Sequence, residues 1–196
     1  SGADVGAATE AHHYVEEVVP GKLPFLLTSC CPSWAMLAKK QFPQLIGEVS
    51  QALTPMVATA RRIKQKSPQA RVVFIGPCAA KKLEASRESV RSDVDFVITF
   101  EELAGMFDAK NIDFSKYEKG VGIHEATGAG RGYACAGGVA AAIKQCVDAY
   151  YPGVEVKIEH AEGLDSCKKM LILAKLGKKN GCLIEGMACP GGCVAG

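Results

Sequence analysis

The chain has 196 residues, 48% of them hydrophobic, and a formal net charge of +2. That length supports one sizeable core, in a single domain or two small lobes. Near-neutral charge with no basic cluster interleaved with aromatics argues against nucleic acid, and no apolar run approaches the roughly 18 residues that span a membrane.

Strands and helices are expected to alternate. Residues from about Thr9 to Val19 read as a helix stopped by Pro20-Gly21. A buried strand follows through Leu27 and ends abruptly in Ser29-Cys30-Cys31-Pro32. A helix carrying Trp34, Met36 and Leu37 then runs to Phe42-Pro43. Ala52 to Lys66 reads as the next helix, with Pro55 in its first turn and basic residues toward its end. Val72 to Ile75 has the β-branched and aromatic character of a buried strand. Val94 to Thr99 is another, and Phe100-Glu101-Glu102-Leu103 opens a helix. Lys110 to Gly132 is the least regular stretch and is expected to be a long loop. Val154 to Ile158 is strand-like, Ser166 to Lys175 helical, and Leu183-Ile184 the last strand. The fold class is therefore α/β: two small lobes of mostly parallel sheet flanked by helices, about 1–110 and 111–196, with a metal site between them.

The cysteines carry the functional signal. An odd count of nine, without the dense spacing of a secreted disulfide scaffold, favours reduced thiols and metal. No signal peptide is evident, so a cytoplasmic location is expected. The abrupt start and finish fit a domain whose flanking parts are missing. Adjacent Cys30 and Cys31 can hardly bond to each other, and along an extended segment they point opposite ways. One sulfur for a metal and one for something beside it is the economical reading. Val72 to Cys78 and Cys182 to Cys193 end the same way, so three strand-like runs deliver cysteine to their carboxyl ends, where open α/β sheets bind ligands.

Cys31, Cys78, Cys189 and Cys193 would supply the four thiolates of a [4Fe-4S] cluster. Zinc accepts four thiolates too, so ligand type alone leaves the metal open. Zinc ribbons, however, usually pair two short Cys-x-x-Cys knuckles, and this chain has none. Gly191 and Gly192 would let backbone approach an inorganic cluster closely. Cys135, Cys146, Cys167 and Cys182 read as buried structural thiols, Cys135 beside a glycine-rich helix start.

Three segments, Thr28-Ser29-Cys30-Cys31-Pro32-Ser33-Trp34, Pro77-Cys78-Ala79-Ala80-Lys81-Lys82 and Glu185-Gly186-Met187-Ala188-Cys189-Pro190-Gly191-Gly192-Cys193, resemble the signature motifs of iron-only ([FeFe]) hydrogenases. They occur in that family's order, and the similarity runs over nearly the whole chain. The resemblance implies the H-cluster: a [4Fe-4S] cube joined through one cysteine sulfur to a two-iron unit with CO, cyanide and an azadithiolate. By motif position Cys31, Cys78, Cys189 and Cys193 hold the cube, and Cys193 also bridges. Cys30 matches the proton-handling thiol, and Lys81 the lysine that donates to a cyanide ligand. Ser29, Pro77, Met187 and Gly76 fall around the cofactor. The activity implied is reversible reduction of protons to H₂. The implied partners are an electron carrier such as ferredoxin or a fused ferredoxin-like domain, and the maturation proteins without which the two-iron unit is missing.

The chain departs from the family in its proton supply and beside the two-iron unit. Members share a relay of two glutamates, a serine and the thiol. Here the first glutamate falls on Glu10, the serine on Ser50, the second glutamate on His13 and the outer arginine on Glu17. Histidine still moves protons, its ordinary pKa being about 6.5. Glu10, His13 and Glu17 share one helix face, a spacing that by itself reads as a solvated surface. Gly76 stands where catalytic members carry methionine, and it is expected to enlarge and polarise the pocket, as in sensory branches. A low-turnover H₂ sensor is thus one alternative. A cluster-assembly relative that binds only ordinary clusters is another, opposed by the Cys30-Cys31 pair and the complete third motif.

Overall fold

The structure, a computed structural model, describes residues 1–118, 120, 122 and 126–195. Five strands, β1 (Leu26–Leu27), β2 (Val73–Gly76), β3 (Phe96–Thr99), β4 (Lys157–Glu162) and β5 (Cys182–Met187), form two parallel sheets. One has the order β1-β5-β4, with Leu27 opposite Ile184 and Lys157 opposite Cys182. The other pairs β2 with β3, Val73 opposite Phe96. Around them lie α1 (Gly2–His13), α2 (Pro32–Gln41), α3 (Pro55–Lys66), α4 (Ala80–Ala85), α5 (Phe100–Ala109), α6 (Gly128–Gly132), α7 (Gly138–Tyr150) and α8 (Leu164–Lys175).

β5 is buried along its whole length and organises the larger core. Successive side chains of a strand point to opposite faces. Leu183 and Met187 accordingly pack with Ala7, Ala11 and Tyr14 from the first helical segment and Ile143 and Val147 of α7. Cys182 and Ile184 pack on the other face with Trp34 and Ala38 of α2 and Leu171 of α8. A third cluster joins Met56, Val57 and Ala60 of α3 to Phe74 and Val97 of the small sheet. The mostly parallel α/β class is as expected. The sheets do not divide at residue 110, because β1 from residues 26–27 joins β4 and β5.

Several boundaries move for identifiable reasons. The first helix begins at Gly2 rather than Thr9, since Ser1 and Asp4 form a capping box, and it continues into a π-helical turn over Tyr14–Val18. Thr54 caps α3, so that helix starts at Pro55 rather than Ala52. β4 lies at Lys157–Glu162 instead of 154–158, where it matches β5 residue for residue. The expected loop from Lys110 contains a 3-10 turn at Phe114–Lys116 and the short α6, while its residues 119, 121 and 123–125 lie outside the described residues. Cys167 and Cys182 are buried as expected. Cys135 is exposed and Cys146 only half-buried. The backbone of Cys135 bridges Gly192 and leaves its side chain outward.

Candidate metal centre

Parallel strands bring three cysteine-bearing ends to one place. β1 leads into Cys30 and Cys31, β2 into Pro77 and Cys78, and β5 into Cys189 and Cys193. Cys31, Cys78, Cys189 and Cys193 line one small cleft. An apolar cavity of about 350 Å³ adjoins it, and Cys30, Cys31, Pro77, Cys78, Lys81, Met187 and Cys193 border both spaces. The third motif is held by Gly192, whose φ of 87° suits glycine. A β-carbon there would lie 2.5 Å from the backbone of Ala134 and of Ala136.

The donor set fits an iron–sulfur cube. Burial, then Cys31 and Cys78, push the Cys193 thiol up, while Lys81 opposes them. Burial and the same two cysteines raise Cys189. A cationic core would favour the thiolate forms of Cys189 and Cys193 that burial opposes. Among the described residues no three His, Cys, Asp or Glu groups converge on a single ion. α2 starts at Pro32 directly after Cys31, so its N-terminal backbone dipoles face the cleft and favour an anionic cluster.

Lys81 is buried and held in place. Its Nζ donates to Glu84 Oε2 at 2.7 Å and to the Cys30 carbonyl at 3.2 Å. Glu84, also buried, accepts from Thr54 Oγ1 at 2.7 Å. Two carboxylate and carbonyl partners leave one of the three ammonium N–H groups for a ligand in the cavity. A buried lysine without such pairing would be costly.

Cys30 lines the apolar cavity. Its thiol is pushed well above the ordinary range, first by burial, then by the Glu10 carboxyl and Cys31, against Lys81. Glu10 is not a surface residue: it is 1% exposed. Its Oε1 accepts from the Ser29 backbone N–H at 2.9 Å and lies 3.2 Å from Ser29 Oγ, which donates to the Ala52 carbonyl at 2.8 Å. Oε2 is buried without a partner. Burial lifts the carboxyl to about 7, against the hydrogen bonds from Ser29. Ser50 Oγ in turn lies 3.5 Å from His13 Nδ1 and accepts from Ala52 N at 3.2 Å. His13 and Ser29 are half-buried, and Ser50 and Glu10 are buried between them. Glu17 faces outward and pairs with Lys22 at 3.6 Å.

Pro77, Met187 and Lys81 border the cavity, but Ser29 and Gly76 do not. Beside Gly76 the Phe74 ring takes the space that a side chain there would need. Tyr133, which lines the cavity, and Glu84 escape the reading of the sequence, since neither sits in a spacing that betrays it. Glu185 enters there only as one letter of a motif. It is a buried carboxylate that accepts from Gly137 N at 2.8 Å and Ala140 N at 2.7 Å, fixing the start of α7.

A family model described as the C-terminal domain of the iron only hydrogenase large subunit matches residues 1–196. The chain is 30% identical over 237 residues to the periplasmic [Fe] hydrogenase large subunit of Nitratidesulfovibrio vulgaris, covering 99% of this chain and 56% of that protein. It is 28% identical over 237 residues to iron hydrogenase 1 of Clostridium pasteurianum, covering 100% and 41%. The cytosolic Fe-S cluster assembly factor NAR1 of Kluyveromyces lactis is 38% identical over 103 residues, 53% of this chain and 22% of that protein. A solved variant of the [FeFe]-hydrogenase HydA1 from Chlamydomonas reinhardtii superposes with a TM-score of 0.77 at 24% identity, over 100% of this chain and 67% of that one. The chain therefore spans about half the length of the curated hydrogenases it matches. No helix among the described residues is long and apolar enough to cross a membrane.

Proposed function

The chain belongs to the iron-only hydrogenase family, matching the C-terminal domain of its large protein component, and on that premise we propose that it interconverts protons and electrons with H₂ at an H-cluster. Cys31, Cys78, Cys189 and Cys193 would hold the [4Fe-4S] cube. Cys193, by its position in the third motif and as one of three cube cysteines bordering both spaces, would also hold a two-iron unit with CO, cyanide and an azadithiolate in the apolar cavity. When bound, that cofactor supplies the reaction itself, 2H⁺ + 2e⁻ ⇌ H₂.

The protein's own residues position, shield and exchange protons. Lys81, braced by Glu84, donates its remaining N–H to an anionic ligand. Cys30 stays protonated at neutral pH and holds a proton at the cavity wall. Glu10 titrates near 7, so it can both take and release one. Ser50, in contact with His13, would carry that proton outward. Met56, Phe74, Pro77 and Phe100 keep the cavity wall apolar and exclude water. Electrons would come from a ferredoxin-like partner or fused domain, and maturation proteins would load the two-iron unit, in the cytoplasm.

The observation that carries this reading is the junction of a four-cysteine cleft with an apolar cavity, bordered in common by Cys31, Cys78 and Cys193. Infrared spectroscopy of matured protein tests it: CO and cyanide bands are expected, alongside iron for both units. A second reading, a cluster-assembly factor, is favoured by the 38% identity to NAR1 over half the chain. It requires bound iron and sulfide without those bands. Bands with H₂ turnover far below that of catalytic relatives would mark the sensory role.

A further inference from the structure

The residue preceding the second motif needs no side chain because another one is already there. Gly76 ends β2 opposite Thr99, and its backbone is not left-handed, so the chain conformation does not demand glycine. The demand is steric. A β-carbon on Gly76 would lie 2.7 Å from Cε1 and 2.8 Å from Cζ of Phe74. The two residues are two apart on one strand and share a face. Phe74 packs on one side against the α3 cluster around Met56. On the other it lines the apolar cavity beside Pro77, Cys78 and Phe100.

We propose that Phe74, lying across Gly76, is the residue that sets the wall and free space of the cavity next to Cys78. Gly76 then acts by giving the ring room rather than by opening the pocket. A side chain at 76 would drive the ring off its bed. The Met56 cluster blocks the ring on one side and the cavity lies on the other, so a displaced ring moves toward the cavity. The inserted volume would then compete with whatever ligand the cavity takes. That the ligand is the two-iron unit rests on the hydrogenase reading; the competition between ring and residue 76 does not.

The test is a cycle of four proteins: parent, Gly76→Ala, Phe74→Ala and the double variant, with Phe74→Leu as the milder partner should Phe74→Ala not fold. Denaturant midpoints of unmatured protein and CO band intensity per protein after maturation are both read. In the Phe74 background, Gly76→Ala should lower the band intensity by roughly fivefold or more, the scale on which overpacking acts. In the Phe74→Ala background the same change should leave band intensity unaltered, and the midpoint equal or higher, since alanine restricts the unfolded chain more than glycine. Equal effects of Gly76→Ala in both backgrounds, or none in either, overturn the proposal. A parent that takes up no two-iron unit overturns the hydrogenase reading instead. The midpoints alone then decide: a cost confined to the Phe74 background supports the proposal, and additive costs sink it.

Discussion

Glu10→Gln should flatten the dependence of stability on pH. The Glu10 side chain is buried at 1% exposure, and its carboxyl is raised from 4.5 to about 7, chiefly by loss of water. The folded state therefore holds this proton more tightly than the unfolded chain does. Stability from that preference is complete below about pH 4.5 and is lost as pH rises through about 7. At about 1.4 kcal/mol per pH unit, the displacement from 4.5 to about 7 is worth about 3 kcal/mol. For a domain of this size that corresponds to a fall in Tm of about 6–12 °C. Glutamine keeps an oxygen for the Ser29 N–H but has no proton to lose in this range. The measurement is thermal unfolding of anaerobic, metal-free parent and variant from pH 4.5 to 8, compared as a difference so that other groups cancel. A parent that loses stability over this range while the variant does not is the expected outcome. Parallel profiles would show that Glu10 stays charged in the folded protein, and the account of it as a proton holder near neutrality would be withdrawn.

Cys30→Ala should retain iron content and infrared bands while H₂ turnover falls by roughly 10²–10⁴-fold, the usual loss when a proton-transfer group is removed. Cys31→Ala should instead lose the cube, which iron and sulfide analysis reads directly; equal loss in both variants would end the division of labour between the pair. His13→Ala should slow turnover with cluster bands intact, and His13→Glu should match or exceed the parent; indifference to both would put the proton route elsewhere. Gly186→Ala should cost about 2 kcal/mol or more in denaturant unfolding, because its β-carbon would run into the Trp34 indole. That ring is locked by its Nε1 donating to the Thr28 carbonyl at 3.1 Å.

What can be read from sequence is whatever depends on the order of residues along the chain. The three cysteine-bearing strand ends and the helix after Pro32 follow from local patterns, and the parallel sheets follow from strands alternating with helices. What escapes depends on neighbours distant in sequence. Glu10, His13 and Glu17 have the spacing of a solvated helix face, and only tertiary packing, which sets Glu10 against Ser29, buries it. The helix start at Gly2 lies in a stretch of glycine and alanine without amphipathic pattern; a cap and tertiary contacts make it helical. β4 contains His160 and Glu162, poor strand formers on their own, placed there by register with β5. Phe74 and Gly76 are near neighbours in the chain, yet which of them fills the cavity wall is settled only by where the ring turns.

The position of β5 has a consequence for biosynthesis. Because the middle strand of the larger sheet comes from residues 182–187, β4 has no strand partner, and β1 only a single bridge from Leu27 to Val49, until those residues have left the ribosome. Leu26 must wait for Leu183, a pairing whose large loop-closure cost makes it slow to form. During that interval Cys30 and Cys31 follow an unfinished strand, open to oxidation, stray metals and edge-to-edge association. Any chaperone or reductant that guards this chain therefore has its work concentrated in the time before the last strand is made.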